Sequence, residues 1–302
     1  MQKIVQLLRQ AGVSRVTADE PLAHHTTWRI GGPADVFVYP KSKDELQKAM
    51  HILYQEGIPW RAIGRGSNLL VRDAGIRGAV IKLGDGLDHV TIDGVQVTAG
   101  GGYSFVGLAG KTAKAGLTGL EFGVGIPGTV GGAVYMNAGA HGSDVSRILV
   151  SAEVMLDTGE WEIMTAEDLK FRYRTSALQE DKPGIVTEAT FRLTPGNAEE
   201  IMANVRAYKQ RRSRTQPIQY PCAGSVFRNP PGDYAGNLIE SAGLKGYRIG
   251  DAEVSELHAN FIINRGEATA EDVLALISHI QQIVKDKFGV ELQTEVQVAG
   301  EE

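Results

Sequence analysis

Cysteine is almost absent from this chain, since Cys222 is the only one among 302 residues. A single thiol cannot form a disulfide within the chain, which excludes a disulfide-stabilised secreted scaffold and favours the reducing cytoplasm. An excess of basic charge is also missing, because the formal net charge is −5 at pH 7. This charge gives no electrostatic footprint for nucleic acid or for an anionic membrane surface, and we expect neither as a partner.

Long apolar runs and metal-ligand patterns are lacking as well. No window approaches the roughly 18 continuous apolar residues of a membrane helix. The segment Met1–Gln10 has neither the apolar stretch nor the cleavage site of a signal peptide. No group of His, Cys, Asp and Glu has metal-ligand spacing, and we therefore predict no metal site.

Glycine, in contrast, is concentrated in one segment. Gly123–Gly132 holds five glycines in ten residues, between flanks that are apolar rather than Ser- or Pro-rich. Such a density occurs where the backbone needs a positive φ or a close approach to another group. Bare N–H groups can cradle a pyrophosphate or lie against a planar ring system. A sharp turn in a β-rich core is the alternative interpretation.

A second glycine run lowers the weight of that alternative. Gly64–Val71 follows a short apolar strand predicted at Ile58–Ile63, and its Ser and Asn side chains suit phosphate oxygens. Thr27–Ala34 forms a third glycine turn. The third glycine of the dinucleotide fingerprint and the Gly-Lys-Ser/Thr ending of a P-loop are both missing. The sequence predicts a nucleotide that is held by neither a Rossmann nor a P-loop domain.

Hydrophobic periodicity predicts an α+β fold, and 302 residues suffice for two or three domains. Ser42 is the predicted N-cap of a helix, with Glu45 three residues later. Helices are also predicted near Gly107–Ala115 and over Ala198–Arg214 and Glu271–Phe288. Strands are predicted at Ala34–Pro40, Gly78–Leu83, Val90–Ile92, Val95–Ala99, Glu188–Leu193 and Glu291–Val298.

Two segments carry arginines with two readings each. If Phe171–Ser176 is a strand, Arg172 and Arg174 lie on one side of it and Tyr173 lies on the other. The two arginines are then either at a solvated edge or in a binding site. Lys209–Arg214 supplies four cations at a predicted helix end. These cations either lie in solvent near the helix dipole or face an anionic ligand.

Three further residues are candidates for proton chemistry. Ser225 lies in Cys222–Pro230 without the G-x-S-x-G pattern of a nucleophile elbow, so it suits a proton donor or a hydrogen-bonding group better than an acyl nucleophile. His258 is either a histidine satisfied in a turn or a functional group. Glu295 is either an exposed charge on the terminal strand or a functional acid, and alternation places it on the side of Glu291.

These motifs, in this order, resemble the UDP-N-acetylenolpyruvoylglucosamine reductase family, over nearly the whole chain from Thr27 to Val298. The glycine turns are shared with other flavin proteins of the vanillyl-alcohol oxidase type. The specific combination is Gly125–Gly132, Tyr173–Ser176, Gly224–Pro230 and Glu295-Val296. The short segment Ala177–Gly184 contains no tyrosine, which resembles the shorter-loop subtype.

The resemblance implies an α+β fold: a two-domain FAD-binding unit of the vanillyl-alcohol oxidase/PCMH type and a C-terminal α+β substrate-binding domain. We expect subdomains at 1–84 and 85–196, the FAD-binding unit at about 30–196, and the UDP-sugar domain at 197–302, whose last strand returns to the flavin.

The resemblance also implies an enzyme with non-covalent FAD and NADPH as hydride donor, which makes UDP-N-acetylmuramate for peptidoglycan. NADPH reduces FAD and leaves, and the enolpyruvyl sugar then takes the hydride at its terminal methylene carbon. The catalytic residues implied are Arg174, which stabilises the developing charge, Ser225, which donates the proton, and Glu295, which assists at the carboxylate.

The implied binding residues form two sets. Those for FAD are Arg29, Gly64, Arg65, Gly66, Ser67, Asn68, Leu69, Gly125, Ile126, Pro127, Gly128, Thr129, Gly131, Gly132 and Ala133. Those for the substrate are Tyr173, Arg211, Arg214, Asn229, His258 and Asn260. A family lysine that grips the diphosphate has no match near Ser213–Thr215, and Arg211 or Arg214 is its expected substitute.

Two rival functions remain at this point. One is a flavin oxidase for a sugar or a phenol on the same FAD scaffold. The other is a nucleotide-sugar-binding regulator without catalysis, against which the intact set of Arg174, Ser225 and Glu295 speaks.

Overall fold

The structure, a computed structural model, describes residues 1–301. Its helices are α1 (Gln2–Gln10), α2 (Lys43–Gln55), α3 (Phe105–Lys114), α4 (Val130–Tyr135), α5 (Ala198–Thr215), α6 (Ala235–Ser241) and α7 (Ala270–Phe288). Short 3₁₀ turns, such as Leu22–His25 and Glu121–Gly125, connect several elements.

The strands are short and spread along the whole chain. They are β1 (Val16–Pro21), β2 (Pro33–Val38), β3 (Trp60–Ala62), β4 (Leu69–Val71), β5 (Ile76–Ile81), β6 (Val90–Asp93), β7 (Gln96–Gly100), β8 (Leu117–Thr118), β9 (Gly139–Ala140), β10 (Ser143–Asp144), β11 (Leu149–Leu156), β12 (Trp161–Thr165), β13 (Gly184–Arg192), β14 (Thr194–Pro195), β15 (Arg248–Ile249), β16 (Ala252–Val254), β17 (Ile262–Asn264) and β18 (Gln297–Ala299).

The chain divides into two compact units, each made of separate segments. The first unit comprises Met1–Ala18, Val36–Gly64 and Gly78–Arg211, and the second comprises Asp19–Asp35, Arg65–Arg77 and Arg212–Glu302. Within residues 1–301, no helix combines the length and the apolar character that crossing a membrane would require.

The largest sheet of the first unit has the order β12-β11-β13-β7-β6, with antiparallel pairing throughout. It shares an apolar core with α3 and α4, which includes Phe105 and Phe191. A second core lies under α1 and α2. The predicted N-cap of α2 is confirmed, since Ser42 Oγ accepts from the amide of Glu45 at 3.1 Å.

The core of the second unit lies between α7, α6 and the small sheet β15-β16-β17. Trp28 is fully buried there, and its Nε1 donates to Ile262 O at 2.8 Å. Strand β18 pairs in parallel with β4. Helix α7 begins with a capping box between Thr269 and Asp272 and ends at Gly289, whose φ of 70° is left-handed.

Two sequence predictions of local structure are wrong. The segment Phe171–Ser176 is a turn closed by hydrogen bonds between Arg172 and Thr175, at 3.0 and 3.1 Å. The terminal strand predicted at Glu291–Val298 is reduced to β18, and Glu295 precedes it in an irregular segment. Alternation was therefore the wrong rule at both places, because neither segment is a continuous strand.

Candidate functional site

The glycine-rich loop of the first unit leads into α4 and packs tightly on one side. Thr129 caps α4, with its Oγ1 accepting from Gly132 N at 3.2 Å. The amide of Gly131 donates to Gly101 O at 2.9 Å. A Cβ on Gly131 would lie only 3.0 Å from Val186 O, so this glycine is needed for packing against backbone.

The first two predicted glycine segments meet at one contact in this unit. A Cβ on Gly64 would approach Thr129 Oγ1 to 2.6 Å. Only a residue without a side chain allows this approach. The capped start of α4 therefore lies directly beside the end of the segment that follows β3.

The opposite side of the glycine-rich loop is open. A Cβ on Gly132 would meet only Thr129 Oγ1, at 3.4 Å, and one on Gly125 would meet only His141 Nε2, at 3.6 Å. Gly132 is exposed, and Gly125 and Gly128 are half-buried. The loop thus presents a bare backbone surface with the positive end of α4, which fits the diphosphate and the planar ring of the predicted FAD.

Arg174 occupies the tip of the turn at Phe171–Ser176 with a left-handed φ of 56°. Its Nη2 donates to Gly139 O at 2.8 Å, and its own carbonyl accepts from Gln179 Nε2 at 3.3 Å. Its guanidinium also lies 5.0 Å from the ring centre of the exposed Tyr173.

The two arginines of this turn differ in their surroundings. Arg172 is exposed and pairs with Glu180, whereas Arg174 is half-buried. The structure therefore corrects the expectation that both lie on the same side of a strand. Arg174 is the arginine that the fold positions.

His141 is a residue of this region that the sequence reasoning did not assign to the site. It lies at the tip of the β9–β10 hairpin and stacks on Tyr208 of α5, with ring centres 3.9 Å apart. Burial, followed by the nearby charge of Arg211, lowers the pKa of its imidazole. The sequence signal that could have assigned His141 to the site is its position in the same glycine-rich stretch.

In the second unit, three predicted segments converge. The amide of Thr27 donates to Gly66 O at 3.3 Å, and its Oγ1 donates to Cys222 O at 2.7 Å. A Cβ on Gly66 would lie 2.5 Å from His25 O. The turn at Thr27–Ala34, the loop at Arg65–Leu69 and the segment that carries Ser225 are thereby joined. Arg29 is exposed with a φ of 58°.

Glu295 is placed against the same loop through its backbone. Its carbonyl accepts from Asn68 Nδ2 at 3.1 Å, and its amide donates to Val226 O at 2.8 Å. Glu295 is half-buried, while Glu291 is exposed and pairs with Lys285 at 2.6 Å. The two carboxylates do not share surroundings, contrary to the prediction from alternation.

Asn260 fixes the backbone just after Ser225. Its Oδ1 accepts from Phe227 N at 2.9 Å, its Nδ2 donates to Phe227 O at 2.8 Å, and its carbonyl accepts from Val226 N at 2.9 Å. Asn260 is 4% exposed. Its side chain therefore shapes the segment that presents Ser225.

His258 and Asn229 complete this arrangement. His258 Nδ1 accepts from Asn260 N at 3.2 Å, so the imidazole is neutral in this contact. Burial, followed by the charge of Lys245, lowers the pKa of His258. Asn229 Oδ1 accepts from the amide of Ala235, the first residue of α6, at 3.1 Å.

The predicted site residues thus form two groups, one in each unit. The first unit brings together Gly64, the loop Gly125–Ala133, and the turn with Tyr173 and Arg174; Arg211 is the last residue of this unit. The second unit brings together Arg65–Leu69, Ser225, Asn229, His258, Asn260 and Glu295; Arg29 and Arg214 are exposed residues of this unit. Among residues 1–301, no group of three or more His, Cys, Asp or Glu could hold a metal ion.

Comparison with known proteins gives two family matches. The FAD binding domain matches residues 34–165. The C-terminal domain of UDP-N-acetylenolpyruvoylglucosamine reductase matches residues 216–299.

Full-length relatives carry the same enzyme name. UDP-N-acetylenolpyruvoylglucosamine reductase of Anoxybacillus flavithermus is 57% identical over 99% of this chain and 99% of its own length. That of Bacillus licheniformis is 54% identical over 100% of this chain and 99% of its own.

Solved structures agree with these relatives. The crystal structure of UDP-N-acetylenolpyruvylglucosamine reductase from Thermus caldophilus is 38% identical, covers 95% of this chain and 99% of its own, and has a TM-score of 0.82. A glucose dehydrogenase, Phl p 4.0202, shares the fold alone, with 12% identity and a TM-score of 0.52 over 96% of this chain and 63% of its own.

Proposed function

The chain belongs to the UDP-N-acetylenolpyruvoylglucosamine reductase family, and from that premise we propose that it reduces UDP-N-acetyl-3-O-(1-carboxyvinyl)-glucosamine to UDP-N-acetylmuramate with NADPH. The chain is an oxidoreductase with an FAD-binding domain. The product would serve peptidoglycan synthesis in the cytoplasm.

The two glycine segments would hold the cofactor. When bound, FAD takes a hydride from the donor and passes it to the substrate, which is chemistry that no side chain supplies. The open side of Gly125–Ala133 and the start of α4 would receive the cofactor, together with Arg29 and Gly64–Leu69. The bare backbone at Gly125 and Gly132 supports this role. We expect binding to be non-covalent, so acid denaturation should release all of the yellow colour.

Arg174 would stabilise the charge that develops on the substrate. Hydride addition at the methylene carbon places negative charge on the enolpyruvyl carboxylate. A guanidinium stays protonated and forks onto a carboxylate. The hydrogen bond from Arg174 Nη2 to Gly139 O holds the side chain before substrate arrives. Glu295 would assist at the same carboxylate.

Ser225 would complete the reaction by donating a proton to the carbon that bears the carboxylate. The observation that carries this proposal is the double hydrogen bond between Asn260 and the backbone of Phe227. These bonds from the buried side-chain amide of Asn260 fix the backbone two residues after Ser225. A fixed backbone would keep the Ser225 hydroxyl in position for proton transfer. Asn229 and His258 border this segment and would contact the sugar nucleotide, with Tyr173 and either Arg211 or Arg214.

Stopped-flow spectroscopy of the two half-reactions tests the proposal. NADPH should bleach the flavin band of the purified protein under anaerobic conditions. The enolpyruvyl sugar should then restore the band within one turnover and yield UDP-N-acetylmuramate. Rapid restoration by oxygen and none by the enolpyruvyl sugar would indicate a flavin oxidase and contradict the proposal. A yellow protein that NADPH does not bleach would contradict the assignment of the hydride donor.

A further inference from the structure

Asn137 follows helix α4 in a conformation that glycine normally provides. Its φ of 42° is left-handed. Its amide donates to Val134 O at 3.1 Å. The next amide, that of Ala138, donates to Ala133 O at 2.8 Å. These two bonds form a Schellman motif, in which glycine is usual at the left-handed position because a Cβ is unfavourable there. The chain therefore carries a side chain where the backbone alone would favour none.

The side chain of Asn137 is buried and is bonded at both of its polar atoms. Asn137 is 4% exposed. Its Nδ2 donates to Arg172 O at 3.0 Å, and its Oδ1 accepts from Ser146 N at 3.0 Å. The side-chain amide thus connects the turn at Phe171–Ser176 with the segment that follows β10. Its orientation is fixed, because a buried amide that lost either bond would leave a polar group without a partner.

Both ends of the Arg174 side chain depend on the segment Asn137–Gly139. The backbone of Arg174 belongs to the turn that Asn137 holds at Arg172 O. The guanidinium lies at the other end, where Nη2 donates to Gly139 O at 2.8 Å. Asn137 and Gly139 are two residues apart. One short piece of chain therefore sets both where the arginine begins and where its guanidinium lies.

Two other side chains bind the same turn to the C-terminal end of α4. Ser176 Oγ donates to Tyr135 O at 2.6 Å. Gln179 Nε2 donates to the same carbonyl at 2.7 Å and to Arg174 O at 3.3 Å. These contacts hold the C-terminal side of the turn, and Asn137 supplies the contact on its N-terminal side.

We propose that Asn137 is a positioning residue, which acts through Arg174 and sets where the guanidinium meets the carboxylate of the enolpyruvyl group. This inference rests on the proposed function, in which Arg174 stabilises the charge on that carboxylate. Without the bond to Arg172 O, the turn is free to shift relative to Gly139 O. A misplacement of about 1 Å near a reacting group lowers a rate by about 10²-fold. Reduction of the flavin by NADPH does not involve the carboxylate and should not depend on Asn137.

The test uses the FAD-loaded protein with Asn137→Gly and Asn137→Ala. Both variants lose the two side-chain hydrogen bonds, but only glycine suits the left-handed φ. The matched controls are Asn197→Gly and Asn197→Ala. The Oδ1 of Asn197 also accepts from two backbone amides, those of Glu199 and Glu200 at 2.9 and 3.3 Å, at the start of α5. Stopped-flow traces measure the two half-reactions, flavin release measures the Kd of FAD, and urea denaturation measures the free energy of unfolding.

For Asn137→Gly we expect reoxidation of the flavin by the enolpyruvyl sugar to slow by about 10–100-fold. Bleaching by NADPH and the Kd of FAD should stay unchanged. Asn137→Ala should be less stable than Asn137→Gly but should slow reoxidation equally, because the lost side chain and not the strain displaces Arg174. The Asn197 variants should reoxidise like the unmodified protein, whatever stability they lose.

Two further measurements show whether Asn137 acts through Arg174. In a protein that already carries Arg174→Ala, adding Asn137→Gly should slow reoxidation no further, because the group that it positions is gone. Calorimetric titration adds a readout without turnover. Asn137→Gly should raise the Kd of UDP-N-acetylmuramate, which carries a carboxylate, several-fold. It should leave the Kd of UDP-N-acetylglucosamine, which lacks that group, unchanged.

Three results would overturn the assignment. Normal reoxidation in Asn137→Gly would show that Arg174 needs no such support, and slow reoxidation in Asn137→Ala alone would then reflect lost stability. Further slowing of the Arg174→Ala protein by Asn137→Gly would mean that Asn137 acts elsewhere. Equal weakening of the two UDP-sugars would indicate a general structural role. If Asn137→Ala does not fold, Asn137→Gly alone decides between these results.

Failure of the proposed function would look different. If Arg174→Ala itself reoxidises at the normal rate, the role of Arg174 in the proposed function is refuted, and this inference is refuted with it. If Arg174→Ala is slow and both Asn137 variants are normal, only the positioning role of Asn137 is refuted.

Discussion

Arg174 shows how one residue combines strain with chemistry. A φ of 56° is unfavourable for a residue with a Cβ, by about 1–2 kcal/mol. The turn retains it because the carbonyls of Gly139 and Arg174 take part in side-chain hydrogen bonds that fix this geometry. Non-glycine residues in left-handed conformations cluster at functional sites. The strain is then the local cost of placing a guanidinium at the tip of the turn.

Replacing Arg174 by Gly and by Ala should separate these two effects. Both variants lose the guanidinium, and both should slow reoxidation of the flavin by the enolpyruvyl sugar by about 10²–10³-fold. Only glycine relieves the strain, so Arg174→Gly should be about 0.5–1 kcal/mol more stable than Arg174→Ala. Urea denaturation measures the free energy of unfolding of both. Equal stabilities would show that the turn is not strained at this residue.

Ser225→Ala should separate the two half-reactions. Reduction of the flavin by NADPH needs no proton donor at the substrate and should continue near its normal rate. Reoxidation by the enolpyruvyl sugar should slow by about 10²–10⁴-fold, the contribution of a positioned general acid. Ser225→Cys should be milder, because a thiol also carries a proton. Stopped-flow traces at the flavin band measure both steps, and equal slowing of the two would exclude the role of proton donor.

At the scale of elements, the sequence predicted the helices that are determined by residues close together in the chain. The start of α2 follows from Ser42 and Glu45, and α7 follows from its apolar spacing, since caps and periodicity act within a few residues. The turn at Arg174 and the irregular segment at Glu295 could not be predicted in this way. Their backbone is held by groups that are distant in sequence: Asn137 Nδ2 donates to Arg172 O, and Asn68 Nδ2 donates to Glu295 O.

The start of α7 also depends on a distant residue, Asp73. Its two carboxylate oxygens accept from the amides of Ala270 and Glu271 at 2.9 and 3.1 Å. Asp73→Ala should lower the free energy of unfolding by about 1–2 kcal/mol, since it removes a charged acceptor from a helix N-terminus. Thermal and urea denaturation check this. Asp286→Ala, near the exposed end of the same helix, is the control, and it should lower the free energy of unfolding by less than Asp73→Ala does.

The glycine-rich loop allows a prediction about FAD binding, at the scale of one element. Gly131 is a poor test position, because a Cβ there approaches two backbone carbonyls at 3.0 and 3.1 Å. Gly132→Val adds a side chain on the open side instead. It should strongly reduce the FAD content while the apoprotein keeps its melting temperature. Gly110→Val, in α3 with nothing within 4 Å of its Cβ, is the control. Full FAD occupancy in Gly132→Val would refute the cofactor surface.

At the scale of the whole molecule, the chain is interlaced. It enters the second unit at Asp19–Asp35 and at Arg65–Arg77 before its C-terminal part completes that unit. The motifs predict individual site residues, which stay predictions, but they do not predict this grouping. Contacts over more than 150 residues, such as Thr27 with Cys222, leave no local signal in the sequence. The domain division at 84/85 and 196/197 stays a prediction.

The stability of the whole protein should depend on pH through His258. Burial lowers the pKa of its imidazole below the ordinary value of 6.5. The unfolded chain therefore binds a proton that the folded protein does not, in the window between the lowered pKa and 6.5. In that window the free energy of unfolding rises with pH. The contribution of His258 is complete above 6.5 and is lost as pH falls, and His141 acts in the same direction.

His258→Asn should flatten this dependence, because its Oδ1 can accept from the amide of Asn260 as Nδ1 does but cannot be protonated. Urea denaturation at several pH values between about 5 and 8 measures the slope. His24→Asn, the same substitution at an exposed position, is the control. Since His258 holds Asn260, and Asn260 holds the segment of Ser225, the unmodified protein should lose flavin reoxidation by the sugar at low pH before it unfolds. A slope that is the same in His258→Asn and in the unmodified protein would remove His258 from this linkage.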